Sequence, residues 1–251
     1  MGVVLKRVKS DTSAPPSLFG VASLEAPIAG ASRWNDSVDV AVIGGGATGL
    51  WAAYHLAAKG SRVGVLESHQ IGHGASGRAF GQVVPYLKHS HHKIVADFGV
   101  ERGEILSDAV ATAPAEISAF IEKNQIACAA TQTGILIGAR TEAGKLRLEE
   151  MAGTFQKQSA HADVLYGEDA ANIVGSNFYR TVFLDPRGFH LDPLAYSRGI
   201  ARAASAHGAF IYPETRVDMI APSGLNWELR CDDRLLIAEN VILATNAYSG
   251  D

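Results

Sequence analysis

The chain has 251 residues, of which 47% are hydrophobic and 19% are charged, a composition typical of globular proteins and not of disordered or fibrous ones. Its formal net charge of −4 leaves no basic excess to neutralise phosphates, so a nucleic-acid partner is not expected. No apolar run approaches the roughly 18 residues of a membrane span, so no membrane association is expected.

The first elements of the chain predict an N-terminal arm followed by a βαβ unit. Residues 1–36 mix Ser, Ala, Pro and Gly without periodicity, which indicates an extended arm that docks on a folded body. The β-branched run 38–43 predicts a buried strand, the Ala- and Leu-rich run 47–59 a helix, and the apolar run 62–67 a second strand. Together they have the size of one βαβ unit.

Helices and strands also alternate in the remainder of the chain. Residues 100–160 show helical periodicity, interrupted by a strand-like run over 134–139. Asp192 and Pro193 are typical of a helix N-cap and first turn, and the helix they begin is expected to reach Gly208 before a strand over 210–212. A hairpin is predicted from runs 227–231 and 235–238, with another buried strand over 240–245.

The run Gly44-Gly45-Gly46-Ala47-Thr48-Gly49 matches G-x-G-x-x-G between a predicted strand and a predicted helix, the context that dinucleotide binding requires. In this motif Gly44 permits the tight turn, Gly46 lets the backbone approach a pyrophosphate, and Gly49 allows close helix–strand packing. Glu67 ends the second strand, where a carboxylate can accept hydrogen bonds from a ribose hydroxyl. The alternative is a plain turn, with Glu67 a solvated strand end.

A second Gly- and Ser-rich loop, residues 72–78, follows the predicted βαβ unit. A nicotinamide-binding unit would normally continue straight into a helix. Backbone N–H groups, the Ser76 hydroxyl and the Arg78 guanidinium suit a ligand with more oxygens, such as the ribityl and phosphate parts of FAD. The alternative is a mobile surface loop.

On these segments the sequence resembles a known family. The runs are DVAVIGGGATGL, VGVLES, GASGRAFGQ, GFHLDPLAYSRGIARAASAHGAFIYPETRV and VILATNAYS. They resemble the FAD-dependent oxidoreductases of the D-amino-acid oxidase superfamily, in the branch of the γ-glutamylputrescine oxidoreductases and the glycine or sarcosine oxidases. The resemblance implies an α/β fold, with a Rossmann-like FAD-binding domain and an inserted, incomplete α+β substrate domain. The expected boundaries are 37–115 and 188–251 for the FAD-binding domain and 116–187 for the substrate domain.

The resemblance also implies which residues face FAD. Gly44, Gly46 and Gly49 would face the pyrophosphate and Glu67 the adenosine ribose, while Ala75, Ser76 and Arg78 would lie on the flavin side. The Val217 backbone would meet the adenine, and Ala244, Thr245 and Asn246 would lie at a strand end near the cofactor. The full set of expected FAD-binding residues is Gly44, Gly45, Gly46, Ala47, Thr48, Gly49, Glu67, Ser68, Gly74, Ala75, Ser76, Arg78, Val217, Ala244, Thr245 and Asn246.

Two features depart from the family pattern. Related members commonly have Gly-Arg-Asn-Gly-Gly in the flavin loop, whereas Phe80 stands in the corresponding Gly77-Arg78-Ala79-Phe80-Gly81 and would restrict close approach of the backbone to the isoalloxazine. The family also continues well beyond the Asn-Ala-Tyr-Ser segment. The chain is therefore expected to be an N-terminal fragment that lacks much of the substrate domain and a final Gly-rich FAD segment.

The resemblance implies oxidation of the C–N bond of a small amine or amino acid to an imine by hydride transfer to flavin. No catalytic residue is assigned, because in the family the substrate-selecting groups lie largely beyond Asp251. The alternatives are a non-catalytic FAD-binding remnant and, with less support, a nicotinamide-dependent dehydrogenase. The oligomeric state is not predicted.

Other polar candidates are weaker. His89, His91 and His92 lack a carboxylate or cysteine at ligand spacing, so no metal site is expected. Ser76 lacks the G-x-S-x-G elbow of a hydrolase, and His190 is expected to be structural. The two cysteines, Cys128 and Cys231, lie far apart and without a C-x-x-C spacing, which favours a reducing, cytoplasmic location.

Overall fold

The structure is a computed structural model that describes residues 3–4, 23, 25–157 and 162–248, without the side chains of residues 3–4 and 155–157. Residues 1–2, 5–22 and 24 of the predicted arm lie outside the described residues. The strands are β1 Val3–Val4, β2 Ser37–Ile43, β3 Val63–Leu66, β4 Gln82–Val83, β5 Ile135–Ala139, β6 Asp163–Tyr166, β7 Thr181–Asp185, β8 Phe189–His190, β9 Phe210–Tyr212, β10 Met219–Ser223, β11 Asn226–Cys231 and β12 Arg234–Leu243. The helices are α1 Ala47–Ala58, α2 His91–Phe98, α3 Val100–Lys123, α4 Glu142–Lys157, α5 Gly167–Val174 and α6 Pro193–Ala206.

The chain divides into two compact units. Unit 1 comprises Met1–Gly81, Ile121–Ala129 and Asp192–Asp251, and unit 2 comprises Gln82–Phe120 and Ala130–Leu191. These limits differ from the expected domain boundaries, because residues 82–115 and 188–191 belong to unit 2 and residues 121–129 belong to unit 1. Unit 2 is thus inserted in the sequence of unit 1 as two segments, of which the first begins at Gln82, shortly after the second Gly-rich loop.

Unit 1 contains a seven-stranded sheet in the order β1-β10-β11-β12-β2-β3-β9. Strands β12, β2, β3 and β9 are parallel neighbours, whereas β1, β10, β11 and β12 pair antiparallel. Helix α1 connects β2 to β3, which confirms the predicted βαβ unit. Val42, Val63 and Val65 have no or almost no exposed surface, as expected for strands buried on both faces of a parallel sheet.

Helix α6 begins where the sequence predicts. The Asp192 carboxylate accepts hydrogen bonds from the N–H groups of Leu194 at 2.9 Å and Ala195 at 3.2 Å, and Pro193 stands in the first turn. These bonds satisfy donors that the helix itself cannot pair. Helix α6 packs against α1, so the N-cap helps to set the position of both helices in unit 1.

The C-terminal strands differ from the prediction of two separate runs over 235–238 and 240–245. That prediction was wrong, because β12 is one strand that pairs antiparallel with β11 over its first half and parallel with β2 over its second half. The polar pair Glu239-Asn240 is exposed and does not interrupt the strand. Strand β10, which contains Pro222, was not predicted.

Unit 2 contains a three-stranded antiparallel sheet in the order β5-β7-β6, and helix α4 packs on all three strands. Its core includes Leu148, Ala152, Ala162 and Phe183. The helices expected over 100–160 are present as α3 and α4, with β5 between them. Across residues 25–157 and 162–248, no helix combines the length and the apolar character that crossing a membrane requires.

Candidate dinucleotide-binding site

The first glycine loop is closed so tightly that its outer positions have no space for a side chain. Gly44 has a φ of +114°, a conformation that side-chain-bearing residues rarely adopt, and a Cβ there would lie 2.6 Å from the Ala244 carbonyl oxygen. A Cβ on Gly49 would lie 2.1 Å from the Gly44 carbonyl oxygen and 3.1 Å from Val42 Cγ1. Gly49 therefore lets α1 pack directly against the end of β2.

The N-terminus of α1 meets the second loop through Ser76. Gly46 is the N-cap of α1 and provides no side-chain cap, and the Ser76 Oγ accepts a hydrogen bond from the Ala47 N–H at 2.9 Å. A Cβ on Gly46 would lie 2.9 Å from that Oγ. The first turn of α1 contains no acidic residue, so the positive end of its dipole is available to an anion.

The Glu67 side chain folds back onto the first glycine loop. Its Oε2 accepts a hydrogen bond from the Gly45 N–H at 2.7 Å, and its Oε1 accepts from the His69 N–H at 2.9 Å and the Ser68 hydroxyl at 3.3 Å. The side chain is only 14% exposed. The carboxylate is therefore an ordered part of the loop and not a solvated strand end.

The second loop, residues 72–78, is fixed by its own hydrogen bonds. The Gly77 N–H donates to the Gly72 carbonyl at 3.1 Å, and a Cβ on Gly77 would lie 2.1 Å from the same oxygen. Residues Ala75–Arg78 form a 3₁₀ turn. The Arg78 guanidinium turns back to the Gly74 carbonyl at 3.2 Å and donates to the Tyr248 hydroxyl at 3.1 Å.

Two later segments of unit 1 reach the same loops. The Ala244 N–H donates to the Ile43 carbonyl at 2.8 Å, which places residues 244–246 beside the Gly44 turn. The Thr215 N–H donates to the Glu67 carbonyl at 2.7 Å. Val217, two residues later, is 5% exposed and packs in the core that includes Tyr212, so its side chain is directed into the core.

The structure also reveals neighbours of the loops that the sequence did not indicate. A Cβ on Gly45 would lie 2.6 Å from Ile71 Cδ1, so Ile71 packs under the first loop. The rings of His69 and His73 stack with centroids 4.1 Å apart. Tyr248 lies against the second loop, since a Cβ on Gly74 would lie 3.2 Å from its ring. Sequence spacing does not predict these contacts, because each depends on how the loops fold over one another.

The histidine candidates belong to unit 2, whereas the two glycine loops belong to unit 1. His91 pairs with Glu104 at 3.2 Å in unit 2, and His190 belongs to β8 of the same unit. In the described part of the chain, no three His, Cys, Asp or Glu side chains are grouped so that they could hold a metal ion. Phe80 of the flavin loop is 78% exposed.

The two loops form a donor set that fits FAD. The open N-terminus of α1 and the backbone of Gly46 suit a pyrophosphate, because the absent Cβ leaves the backbone accessible. The Glu67 carboxylate accepts three hydrogen bonds, so about one of its roughly four lone-pair sites remains for a ribose hydroxyl. The Ser76 hydroxyl and the N–H groups of the second loop add further hydrogen-bonding groups. A ligand larger than one nucleotide, such as FAD, can use them.

The chain and its fold are similar to those of known proteins. The chain is 32% identical over 220 residues to "Gamma-glutamylputrescine oxidoreductase" of Escherichia coli (strain K12), covering 86% of this chain and 51% of that protein. It is 26% identical over 215 residues to "Glycine oxidase" of Bacillus licheniformis, covering 84% of this chain and 55% of that protein. The structure matches that of glycine oxidase from Geobacillus kaustophilus with a TM-score of 0.71 at 22% identity, covering 86% of this chain and 57% of that one.

The chain thus spans about half the length of the curated relatives that it matches. The family model described as "FAD dependent oxidoreductase" (DAO), whose members depend on FAD as cofactor, matches residues 39–251. This match covers most of the chain, and the fold is similar to that of a glycine oxidase. The chain therefore belongs to the DAO family of FAD-dependent oxidoreductases.

Proposed function

We propose that this chain binds FAD through unit 1 and serves an oxidoreductase that oxidises the C–N bond of a small amine or amino acid. The observation that carries the proposal is the closure of Glu67 onto the Gly45 N–H at 2.7 Å, beside the open N-terminus of α1. The Glu67 carboxylate offers an acceptor to a ribose hydroxyl. The neighbouring backbone at the N-terminus of α1 offers a site to the pyrophosphate.

Within this proposal each group has a definite task. The backbone of Gly46 and the N-terminal turn of α1 hold the pyrophosphate, while the N–H groups of Gly44, Gly45 and Ala47 hold the loop together through Leu66, Glu67 and Ser76. The Glu67 carboxylate accepts from a ribose hydroxyl, with Ser68 next to it. Residues 74–78 hold the flavin side through backbone N–H groups, the Ser76 hydroxyl and Arg78. The backbone near Val217 meets the adenine, and residues 244–246 close the site at the end of β12.

FAD, when bound, supplies a two-electron acceptor for a hydride from the carbon next to nitrogen. The residues of this chain bind and orient the cofactor, and such an oxidation requires no protein nucleophile. This agrees with the position of Ser76, whose Oγ accepts from the Ala47 N–H at the helix N-terminus. Unit 1 corresponds to the FAD-binding part in this proposal, and unit 2 to the substrate side.

Two of the relatives support the choice of substrate class. One is named for a putrescine derivative, which is an amine, and the other for glycine, which is an amino acid. Both substrates present a carbon bonded to nitrogen. We therefore propose this class for the enzyme that the chain serves, and leave the individual amine open.

The decisive experiment is a titration of the purified chain with FAD, followed by quenching of flavin fluorescence, with NADH titrated in parallel. We expect saturable FAD binding and no comparable NADH binding. Tight NADH binding without FAD binding would favour a nicotinamide-dependent dehydrogenase. If the folded chain binds neither FAD nor NADH, the result would support the alternative that the chain is a non-catalytic remnant that no longer binds the cofactor.

Two glycine variants make this titration specific. Gly46→Ala places a methyl group where the pyrophosphate approaches and 2.9 Å from Ser76 Oγ, a side-chain atom that can rotate away. We expect the variant to fold and to bind FAD about tenfold more weakly. Gly153→Ala is the matched control, because a Cβ there would meet nothing within 4 Å. Equal FAD affinity of both variants would contradict the proposed pyrophosphate site.

Catalysis is tested separately, by hydrogen peroxide release and by reduction of an artificial electron acceptor with a panel of amines and amino acids. FAD binding without turnover would support the proposed cofactor and would show that this chain alone does not catalyse the oxidation. Turnover of a 2-hydroxy acid in place of any amine would contradict the proposed substrate class.

A further inference from the structure

Unit 2 contains a cavity of about 910 Å³. Its walls come from residues 84–90, from helices α2, α3 and α4 and from strand β5. This volume lies within the range of small-molecule sites. All lining residues belong to unit 2, whereas every residue assigned to FAD belongs to unit 1. The proposed cofactor site therefore does not account for this cavity.

The walls of the cavity are largely apolar. Ile94 of α2 and Leu148 of α4 line the cavity and are 6% and 5% exposed. Val110 of α3, Ile137 of β5 and Met151 of α4 complete this surface. An apolar body in contact with such walls is removed from water, which favours its binding.

The charged groups of the lining are predominantly positive. Lys88, Lys93 and Arg147 line the cavity, against one carboxylate, that of Glu150. Lys93 forms an ion pair with Asp97. Lys88 and Arg147 form no ion pair with any of the described residues. Lys88 and Arg147 are exposed at the edge of the cavity, so an anionic group of a ligand can reach both of them.

A histidine on the same lining is held in a fixed orientation. The Nδ1 of His91 lies 3.0 Å from the Ser107 Oγ, and its Nε2 lies 3.2 Å from the Glu104 Oε1. Both ring nitrogens are thus engaged by helix α3. Because the imidazole is oriented by these two contacts, the wall formed by α2 and α3 is an ordered surface on which a ligand can pack.

We propose that this cavity binds a small organic anion with an apolar body, such as an aliphatic carboxylate, independently of FAD. The apolar body packs against Ile94, Val110, Ile137, Leu148 and Met151. Arg147 binds the anionic group through its planar guanidinium, which matches the geometry of a carboxylate. Lys88 adds a second positive charge. The proposal concerns binding only and involves no chemical step.

The test is isothermal titration calorimetry of the full chain with decanoate, decylamine and decanol, which share an alkyl length and differ in the charge of the head group. We expect saturable binding of decanoate that exceeds the binding of decanol, and no binding of decylamine. Equal binding of all three would show adhesion of alkyl chains to an apolar surface and would overturn the proposal. Absence of decanoate binding would overturn it as well.

Variants then locate the site. Arg147→Met removes the cation while keeping an apolar side chain, and we expect decanoate binding to weaken about tenfold. Arg102→Met is the matched control, because Arg102 is exposed on α3 and does not line the cavity. Equal decanoate affinity of these two variants would contradict the assignment of Arg147.

A cavity-filling variant provides a second, independent readout. Ala111 lines the cavity, and Ala111→Phe places a ring in it, so decanoate binding is expected to be lost while the circular dichroism spectrum is retained. Unchanged decanoate binding by this variant would place the ligand elsewhere. FAD titrations of Arg147→Met and Ala111→Phe should match the parent chain, which separates this site from the proposed cofactor site.

Discussion

The Glu67 Oε2 lies 2.7 Å from the backbone nitrogen of Gly45 and accepts its N–H, so the end of β3 and the turn after β2 form one polar surface. These two residues are 22 positions apart and meet because β2 and β3 are parallel neighbours whose carboxyl ends lie at the same sheet edge. The carboxylate thereby stabilises the glycine loop, and in the proposed function its remaining acceptor site is offered to a ribose hydroxyl.

The first prediction concerns this carboxylate. Glu67→Gln replaces one carboxylate oxygen with an NH₂ group, which then faces the N–H of Gly45 or of His69. The loop loses one hydrogen-bond acceptor, and the side chain becomes a weaker acceptor for a ribose hydroxyl. Hydrogen bonds to charged groups contribute about 1.5–3 kcal/mol, and we expect FAD affinity to fall about tenfold or more. Flavin fluorescence titration measures the change.

Its control is Glu239→Gln, an exposed glutamate of β12 in the same unit, which should leave FAD affinity unaltered. A Glu67→Gln variant that loses stability without losing affinity would assign Glu67 to loop structure alone.

The second prediction separates packing from ligand binding within the glycine motif. In Gly49→Ala the added Cβ lies 2.1 Å from the Gly44 carbonyl oxygen and 3.2 Å from Ala244 Cβ, and backbone atoms cannot rotate away. We expect a loss of about 3 kcal/mol or more in the free energy of unfolding, measured by urea denaturation without FAD.

Gly153→Ala should be neutral or slightly stabilising, because Ala is the better helix former and nothing lies within 4 Å of the added Cβ. If Gly49→Ala unfolds at the same urea concentration as the parent chain, α1 and β2 are not packed as closely as the structure indicates.

The third prediction concerns pH and the ion pair of the arm. Glu25 accepts hydrogen bonds from Arg202 at 2.9 Å and from the Ala127 N–H at 3.0 Å. Burial by itself raises the pKa of Glu25, but these hydrogen bonds and the charge of Arg202 outweigh it and hold the pKa below its ordinary value of 4.5. A lowered folded-state pKa means that the stabilisation is present above the unfolded-state pKa and is lost as pH falls through the folded-state pKa.

We therefore expect Glu25→Gln to lower the free energy of unfolding at pH 7 by about 1–3 kcal/mol. The difference from the parent chain should shrink as pH falls below 4.5 and through the lowered folded-state pKa. Glu122→Gln, an exposed position of α3, is the control. A deficit of Glu25→Gln that stays constant from pH 7 down to strong acid would show that the carboxylate charge contributes nothing.

The fourth prediction concerns the two thiols. Cys128 and Cys231 are 1% and 2% exposed, and burial raises the pKa of Cys231 to about 12. Because the thiolate is the reactive form, neither cysteine should react with 5,5′-dithiobis(2-nitrobenzoate) at pH 8 in the folded chain, and both should react in denaturant. A Ser205→Cys variant, exposed on α6, should add one fast-reacting thiol; a fast reaction of the unsubstituted chain would contradict the burial of the native pair.

Much of unit 1 follows from the sequence because its determinants are local. The β-branched run before Gly44, the Ala-rich run after it and the Asp192-Pro193 cap each impose their element through neighbouring residues. Strand β12 was predicted as two runs separated at Glu239, where the apolar pattern is interrupted, whereas the pairing with β2 and β11 keeps the backbone extended through it. Backbone hydrogen bonding to two neighbours thus overrides a local polar signal.

By itself the sequence determined the βαβ unit, its glycine loop and the acidic end of β3, because these depend on residue type and short spacing. Only the tertiary structure decided that Ser76 accepts from the Ala47 N–H, that Ile71 supports Gly45 and that Tyr248 meets Arg78. These contacts join residues up to 170 positions apart, and they arise from the way in which sheet order brings loop ends together, which no local pattern specifies.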